Sequence, residues 1–425
     1  MSRTLPQWLD YIERLHPKTV ELGLERVRAV AQRMGLGRPA RKVVTVAGTN
    51  GKGSTVAFIE AIARAAGWRT GAYTSPHLLA YNERVRIDGR DAGDEALVAG
   101  FEAVEASRGD TALTYFEYGT LCALWLFERA RLDLAVLEVG LGGRLDAVNL
   151  VDADVAVITT VDIDHVDWLG SDRDAIGREK AGIARAWTPL VLGDDDPPAS
   201  VLRHAYAIGA PAVRANCDFF FERLGDDAWR WREINRTYEL PLPRLAAPSQ
   251  LRNAATAIAA LRALGEPLPA AAIAEGVADA RLPGRLQRCE RDGIEVMVDV
   301  GHNPQAAREL ARWLGDAPVR GRTLAVFAAL GDKDLAGIVE PLAPRIDAWY
   351  LAGLDVGARG LPIDGFGARL AGTAAAGGRP HATVEQALAD ALADAVRGDR
   401  VLVFGSFHTA AAALQALQPP PAGRG

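Results

Sequence analysis

Cysteine is scarce in this chain: Cys122, Cys217 and Cys289 are the only three in 425 residues, and they lie far apart. That scarcity excludes a disulfide scaffold and a thiolate metal site, and it fits small core or half-buried side chains in a reducing compartment. No apolar run approaches the ~20 residues that a transmembrane helix requires. An excess of basic residues is missing too. The net charge of −6 argues against a nucleic-acid surface but leaves room for a local basic pocket around an anionic substrate. The pattern of a signal peptide is also missing. Trp8, Leu9, Ile12 and Leu15 recur at helical spacing among Asp10, Glu13 and Arg14, which describes an amphipathic helix. The expectation is a cytoplasmic protein with neither membrane nor nucleic acid as partner.

With 49% hydrophobic and 24% charged residues, the chain has the composition of an ordinary globular protein, and its length predicts two domains. Short apolar runs at 43–47, 134–139, 155–160 and 189–192 alternate with helical segments. A second series follows at 295–300, 323–327, 348–351 and 400–404. This alternation predicts an α/β fold with parallel sheets, whose carboxyl edges are where ligands bind. Residues 216–243 differ: Phe219, Phe220, Phe221, Trp229, Trp231 and Tyr238 sit among charges around a Gly225-Asp226-Asp227 turn. They predict a small antiparallel meander whose aromatics pack on the sheet rather than stack on bases. An Ala-rich helix is expected over 251–264, a domain junction at 281–285, and a disordered Pro/Gly-rich segment at 419–425.

The most informative stretch is Val43-Val44-Thr45-Val46-Ala47-Gly48-Thr49-Asn50-Gly51-Lys52-Gly53-Ser54. A β-branched run stops at a glycine turn, and a helix-compatible segment follows from Thr55. Strand, glycine loop and helix bind nucleotide phosphates: backbone N–H groups and the helix N-terminus face the anion, Lys52 adds a full charge, and Ser54 offers a hydroxyl to Mg²⁺. The spacing is not that of the usual P-loop, because Thr49 and Asn50 alone separate Gly48 from Gly51, and Gly53 precedes Ser54.

Further chemistry-bearing residues follow other strands. Glu138 ends an apolar strand before Gly140-Leu141-Gly142-Gly143, where an ionised carboxylate needs a cation or backbone donors. Asp162, Asp164 and Asp167 surround His165, a candidate metal or proton-transfer site. Lys180, in a helix rich in small residues, reads from the sequence alone as a charge on a solvated face. In the second half, Asp299-Val300-Gly301-His302-Asn303, Gly331-Asp332-Lys333-Asp334 and Gly405-Ser406-Phe407-His408 each end a strand, and Asp299 is placed to accept hydrogen bonds from ribose hydroxyls or to orient a base.

Taken with Tyr73-Thr74-Ser75-Pro76-His77, Gln250-Leu251-Arg252-Asn253 and Pro283-Gly284-Arg285, these segments resemble the folylpolyglutamate synthase/dihydrofolate synthase family of Mur ligases. They run in family order over nearly the whole chain, and the likeness is greatest to bifunctional bacterial members. The resemblance implies a P-loop-type ATPase domain with a mostly parallel sheet over 1–282 and a Rossmann-like ligase domain over 283–425. It implies ATP-driven amide formation between L-glutamate and dihydropteroate or reduced folates. Thr49, Asn50, Gly51, Lys52, Gly53 and Ser54 would hold ATP, and Asn253, Arg285 and Asp299 match further nucleotide contacts. Ser75, Glu138 and His165, with Ser54, match magnesium positions. Lys180 matches a lysine that is carbamylated in the superfamily to organise a second Mg²⁺, with K⁺ as a further cation. Lys52, His165 and Lys180 are thereby the catalytic candidates. Thr19, Val20, Glu21 and Leu22, then Thr114, Tyr115, Phe116 and Glu117, and Leu145, match walls of a pterin pocket. An aromatic pair such as Tyr115-Phe116 suits a flat heterocycle. A monomer is expected. Three alternatives stay open: a single-activity folylpolyglutamate synthase, a Mur-type ligase of cell-wall synthesis, and a non-enzymatic nucleotide-binding module. The cell-wall alternative is disfavoured because the chain is expected to start directly with its ATPase domain.

Overall fold

The computed structural model describes residues 3–16, 18 and 21–418, so the segment 419–425 expected to be disordered lies outside the described residues. The chain divides into two compact units, one of residues 1–244 with 250–281 and one of residues 245–249 with 282–425.

In the first unit the β-branched run 43–47 forms the end of strand β1 (Ala40–Ala47), and its last five residues are buried. A continuous buried run is what a parallel strand covered on both faces requires. The other strands of its sheet are β2 (Thr70–Tyr73), β3 (Val85–Ile87), β4 (Arg90–Asp91), β5 (Leu132–Glu138), β6 (Val155–Ile158), β7 (Leu190–Leu192) and β8 (Ala212–Arg214). The eight strands lie in the order β4-β3-β2-β5-β1-β6-β7-β8, with only the β2-β3-β4 edge antiparallel. β1 sits between β5 and β6, and the chain reaches them on opposite sides. The carboxyl ends of these three strands therefore share a switch point, where an open sheet leaves a crevice. Helices Lys52–Ala65, Tyr115–Ala130 and Arg173–Ala181 follow at this edge or cover the sheet.

The meander is β9 (Phe219–Leu224), β10 (Ala228–Glu233) and β11 (Arg236–Pro241), an antiparallel three-stranded sheet. Phe219, Trp229 and Trp231 are fully buried. Trp231 stacks on Tyr238 at 5.6 Å, and its indole N–H donates to the Ala255 carbonyl at 3.1 Å. The aromatics Phe219, Trp231 and Tyr238 pack on one another within the meander, as expected, and Trp231 also ties it to the helix Ser249–Ala263.

The second unit contains β12 (Gln287–Arg291), β13 (Ile294–Val298), β14 (Thr323–Phe327), β15 (Ala348–Ala352), β16 (Arg379–His381) and β17 (Arg400–Phe404). Their order is β12-β13-β17-β14-β15-β16, parallel except for the β12-β13 hairpin. That hairpin turns on Asp292-Gly293, both at positive φ (52° and 78°), a two-residue turn signal present in the sequence. The short strands β2 and β16 carry no such signal: Thr70-Gly71-Ala72-Tyr73 becomes a strand because β5 and β3 flank it.

Candidate active site

The glycine loop leaves β1 in a shape only glycine tolerates. Gly48 has φ +153°, and a Cβ there would lie 1.8 Å from the Thr159 hydroxyl. Gly51 has φ +85°, and its Cβ would lie 2.5 Å from the Asn253 amide oxygen. Lys52 opens the helix Lys52–Ala65, and its ammonium donates back to the Gly48 and Thr49 carbonyls at 3.0 and 3.3 Å. The loop is stapled to the segment leaving β6. Thr49 N–H donates to Thr160 O at 2.8 Å, and Asn50 N–H donates to the Thr160 hydroxyl at 3.2 Å. The Thr159 hydroxyl donates to the Asn50 carbonyl at 2.6 Å. Thr49 Oγ1 accepts from Asp162 N–H and donates to Asp162 O, both at 3.0 Å. In the sequence Thr159 and Thr160 are only the tail of an apolar run, and sequence reasoning does not single them out.

Gly48, Thr49 and Lys52 line one pocket together with Gly140, Asp164, His165 and Lys180. Lys180 is buried, so its reading as a solvated charge is corrected: the helix Arg173–Ala181 turns this side chain inward. Burial holds its ammonium down to about 7, and the Lys52 charge acts in the same direction. Asp146 is not among the candidates that the sequence picks out, although it closes the Gly140–Asp146 turn. Burial raises its carboxyl to about 7, against hydrogen bonds from Leu141 N–H at 2.9 Å and Val148 N–H at 3.0 Å. Acid and base are thus both shifted toward their neutral forms beside the phosphate loop.

His165 adopts a left-handed backbone (φ +53°) at the start of a short turn of helix. Among the described residues no group of three or more His, Cys, Asp and Glu side chains is placed to hold a metal, so the three aspartates do not gather around His165 as a metal site, although Asp164 and His165 both line the pocket. Asp162 accepts Ile163 N–H and Asp164 accepts His165 N–H, each at 2.8 Å; Asp164 also lines the pocket with Lys180, and Asp167 is exposed. Glu138 is buried and accepts Ser75 N–H at 3.2 Å, so these two residues do meet. Ser54 is buried in the first turn after Lys52.

Of the expected pterin walls, Thr19 and Val20 lie outside the described residues. Thr114 and Glu117 form the capping box of the helix Tyr115–Ala130, with Thr114 N–H donating to Glu117 Oε2 at 2.8 Å. The Thr-x-x-Glu spacing announces this in the sequence. Arg26 bridges Glu117 and Glu21 at 2.9 and 3.0 Å. Phe116 lies against Gly140 and 5.8 Å from the Tyr73 ring, and Tyr115 is edge-on to Tyr81. Leu22 is half-buried, and Leu145 O accepts Gly23 N–H at 3.3 Å.

Asn253, beside Gly51, donates to Gln250 Oε1 at 3.1 Å. Arg285 and Asp299 belong to the second unit. Burial raises the Asp299 carboxyl, which accepts Leu286 N–H at 2.8 Å and Gly301 N–H at 2.7 Å, and Arg285 lies 5.1 Å over the Phe407 ring. Other polar strand ends in this unit cap helices: Asn303 accepts Ala306 N–H, Asp334 accepts Gly337 N–H, and Ser406 accepts Thr409 N–H.

Residues 46–260 match the Mur ligase middle domain, and residues 284–407 match the Mur ligase glutamate ligase domain. A dihydrofolate synthase/folylpolyglutamate synthase of Escherichia coli strain K12 is 47% identical over 414 residues, covering 97% of this chain and 95% of the relative. The solved structure of E. coli FolC with DHPP and ADP superposes with a TM-score of 0.92 at 47% identity, covering 97% of each chain. A bifunctional folylpolyglutamate synthase/dihydrofolate synthase with Mn, AMPPNP and L-glutamate bound gives a TM-score of 0.91 at 46% identity, covering 98% of each chain. No helix among the described residues is long and apolar enough to cross a membrane.

Proposed function

The chain belongs to the dihydrofolate synthase/folylpolyglutamate synthase family of Mur ligases, and from that premise we propose that it joins L-glutamate to 7,8-dihydropteroate and to tetrahydrofolates at the expense of ATP. The observation that carries this reading is the convergence of Lys52, His165 and Lys180 on one pocket beneath the glycine loop.

A carboxylate is a poor electrophile toward an amine. Its oxygen attacks the γ-phosphorus of ATP, the bond to ADP breaks, and an acyl phosphate results. The glutamate amine then attacks the acyl carbon, losing a proton, and phosphate leaves with its electron pair. The loop amides and Lys52 offset charge on the migrating phosphoryl group, a preorganised electrostatic role. Lys180, held near neutrality by burial, has the neutral amine that attacks CO₂; the new N–C bond and the lost proton leave a carbamate. The hard oxygen donors of Ser54, Ser75, Glu138 and carbamylated Lys180, with His165, fit magnesium, and buried Glu138 is already oriented by the Ser75 amide. Two ions held there would supply Lewis-acid stabilisation of the phosphates, with K⁺ as an added cation. Tyr115, Phe116, Glu117, Thr114, Leu145 and the segment 19–22 would bound the pterin.

Incubation with ATP, Mg²⁺, glutamate and dihydropteroate should yield dihydrofolate, ADP and phosphate. With ¹⁸O in the pteroate carboxylate, label should reach the released phosphate. Turnover of tetrahydrofolate alone would reduce the reading to a single-activity enzyme, and unlabelled phosphate would exclude the acyl phosphate.

A further inference from the structure

We propose that Thr159 is a positioning residue that aims the phosphate loop. The proposal rests on the nucleotide reading of that loop. A trans peptide points its C=O and the following N–H in opposite directions. The Asn50 carbonyl is drawn toward the end of β6 by the Thr159 hydroxyl at 2.6 Å, with the Thr160 hydroxyl at 3.3 Å in support. The Gly51 N–H is therefore turned away from β6, in the loop whose amides face the anion. Rotation of this peptide would put a carbonyl oxygen where a phosphate needs a donor.

The fit is specific to a hydroxyl at this place. Thr159 is buried, and its Oγ1 occupies the space that a Cβ at Gly48 would take, within 1.8 Å. The missing side chain of Gly48 and the hydroxyl of Thr159 are thus two halves of one arrangement. Backbone bonds fix Thr159 in turn, its N–H donating to Ala47 O at 2.9 Å. Thr45 provides the contrast: it lies in β1, its hydroxyl is equally buried, and that oxygen has no hydrogen-bond partner.

Thr159→Val keeps the shape and removes the donor, Thr159→Ser keeps the donor, and Thr45→Val makes the same chemical change away from the loop. Calorimetric titration with ADP, the KM for ATP and melting temperature read all three. Thr159→Val should weaken ADP binding and raise the KM for ATP roughly 5- to 20-fold, and it should melt below Thr45→Val, which gives up no hydrogen bond. Thr159→Ser should restore affinity to within about twofold of wild type, the residual reflecting its freer rotamer. If Thr159→Val does not fold, Thr159→Ala is read in its place. Wild-type affinity in Thr159→Val, or failure of Thr159→Ser to rescue, overturns the proposal alone. A wild-type protein that binds neither ADP nor ATP overturns the nucleotide reading and the proposal with it.

Discussion

Both units end buried parallel strands in polar residues, but they put them to different work. In the first unit, Lys180 is buried close to Lys52 with its ammonium held down to about 7, while Asp146, raised to about 7, accepts Leu141 and Val148 N–H as a turn carboxylate does, so the contrast rests on Lys180. In the second, Asn303, Asp334 and Ser406 accept helix N–H groups, and both carboxylate oxygens of Asp299 accept backbone amides. A polar residue after a strand is at once the usual helix cap and the usual catalyst. What separates the two is whether local backbone donors satisfy it or whether a buried charge is left for a ligand to answer.

Three substitutions sharpen or break that contrast. The largest effect belongs to Lys180→Ala. If the carbamate organises a metal, kcat should fall on the order of 10²-fold or more, and a near wild-type rate would return Lys180 to a packing role. Next comes Asp146→Asn, read in stability against pH. The native carboxyl holds its proton up to about 7, whereas the unfolded chain loses it near 3.8. Between those values the native state binds more protons, so stability falls as pH rises from about 4 to 7. Lys180 is protonated in both states below about 7 and adds no slope there. Asp146→Asn should flatten the fall, on the order of 1–3 kcal/mol, as measured by urea unfolding at pH 5 and 7. An unchanged slope would show that Asp146 is not the group responsible. The smallest effect is expected in the second unit. Thr383 caps the helix Val384–Asp394 by accepting Gln386 N–H, so Thr383→Ala should cost about 0.5–1 kcal/mol by thermal melt and leave ligation untouched. A loss of activity there would mean that capping residues of this unit also serve the reaction.

Much of this arrangement is legible in composition and spacing. The runs 43–47, 323–327 and 400–404 are long enough, and apolar enough, to be read as buried strands, and the aromatic meander is announced by its turn. The glycine loop is legible because glycine has few other reasons to interrupt a strand and a helix with one lysine. Lys180 is misleading because its neighbours in sequence are small and polar, while the side chains that bury it come from elsewhere in the chain. The Asp162–Asp167 cluster misleads only in part: Asp162 and Asp164 each spend a carboxylate oxygen on the amide that follows and Asp167 is exposed, but Asp164 and His165 do line the pocket. Thr159 and Thr160 carry no signal at all, since threonine at a strand end is common.

Local composition and motif order are enough to set the alternation of strand and helix, the place of the phosphate-type loop and the family likeness, because each is written in neighbouring residues. Packing across the fold settles which charges are buried together and how the peptides of the glycine loop are turned. Those properties depend on side chains more than a hundred residues apart: Thr159 lies 109 positions from the carbonyl it holds. A desolvated charge is a property of the packed neighbourhood, and no spacing along the chain records it.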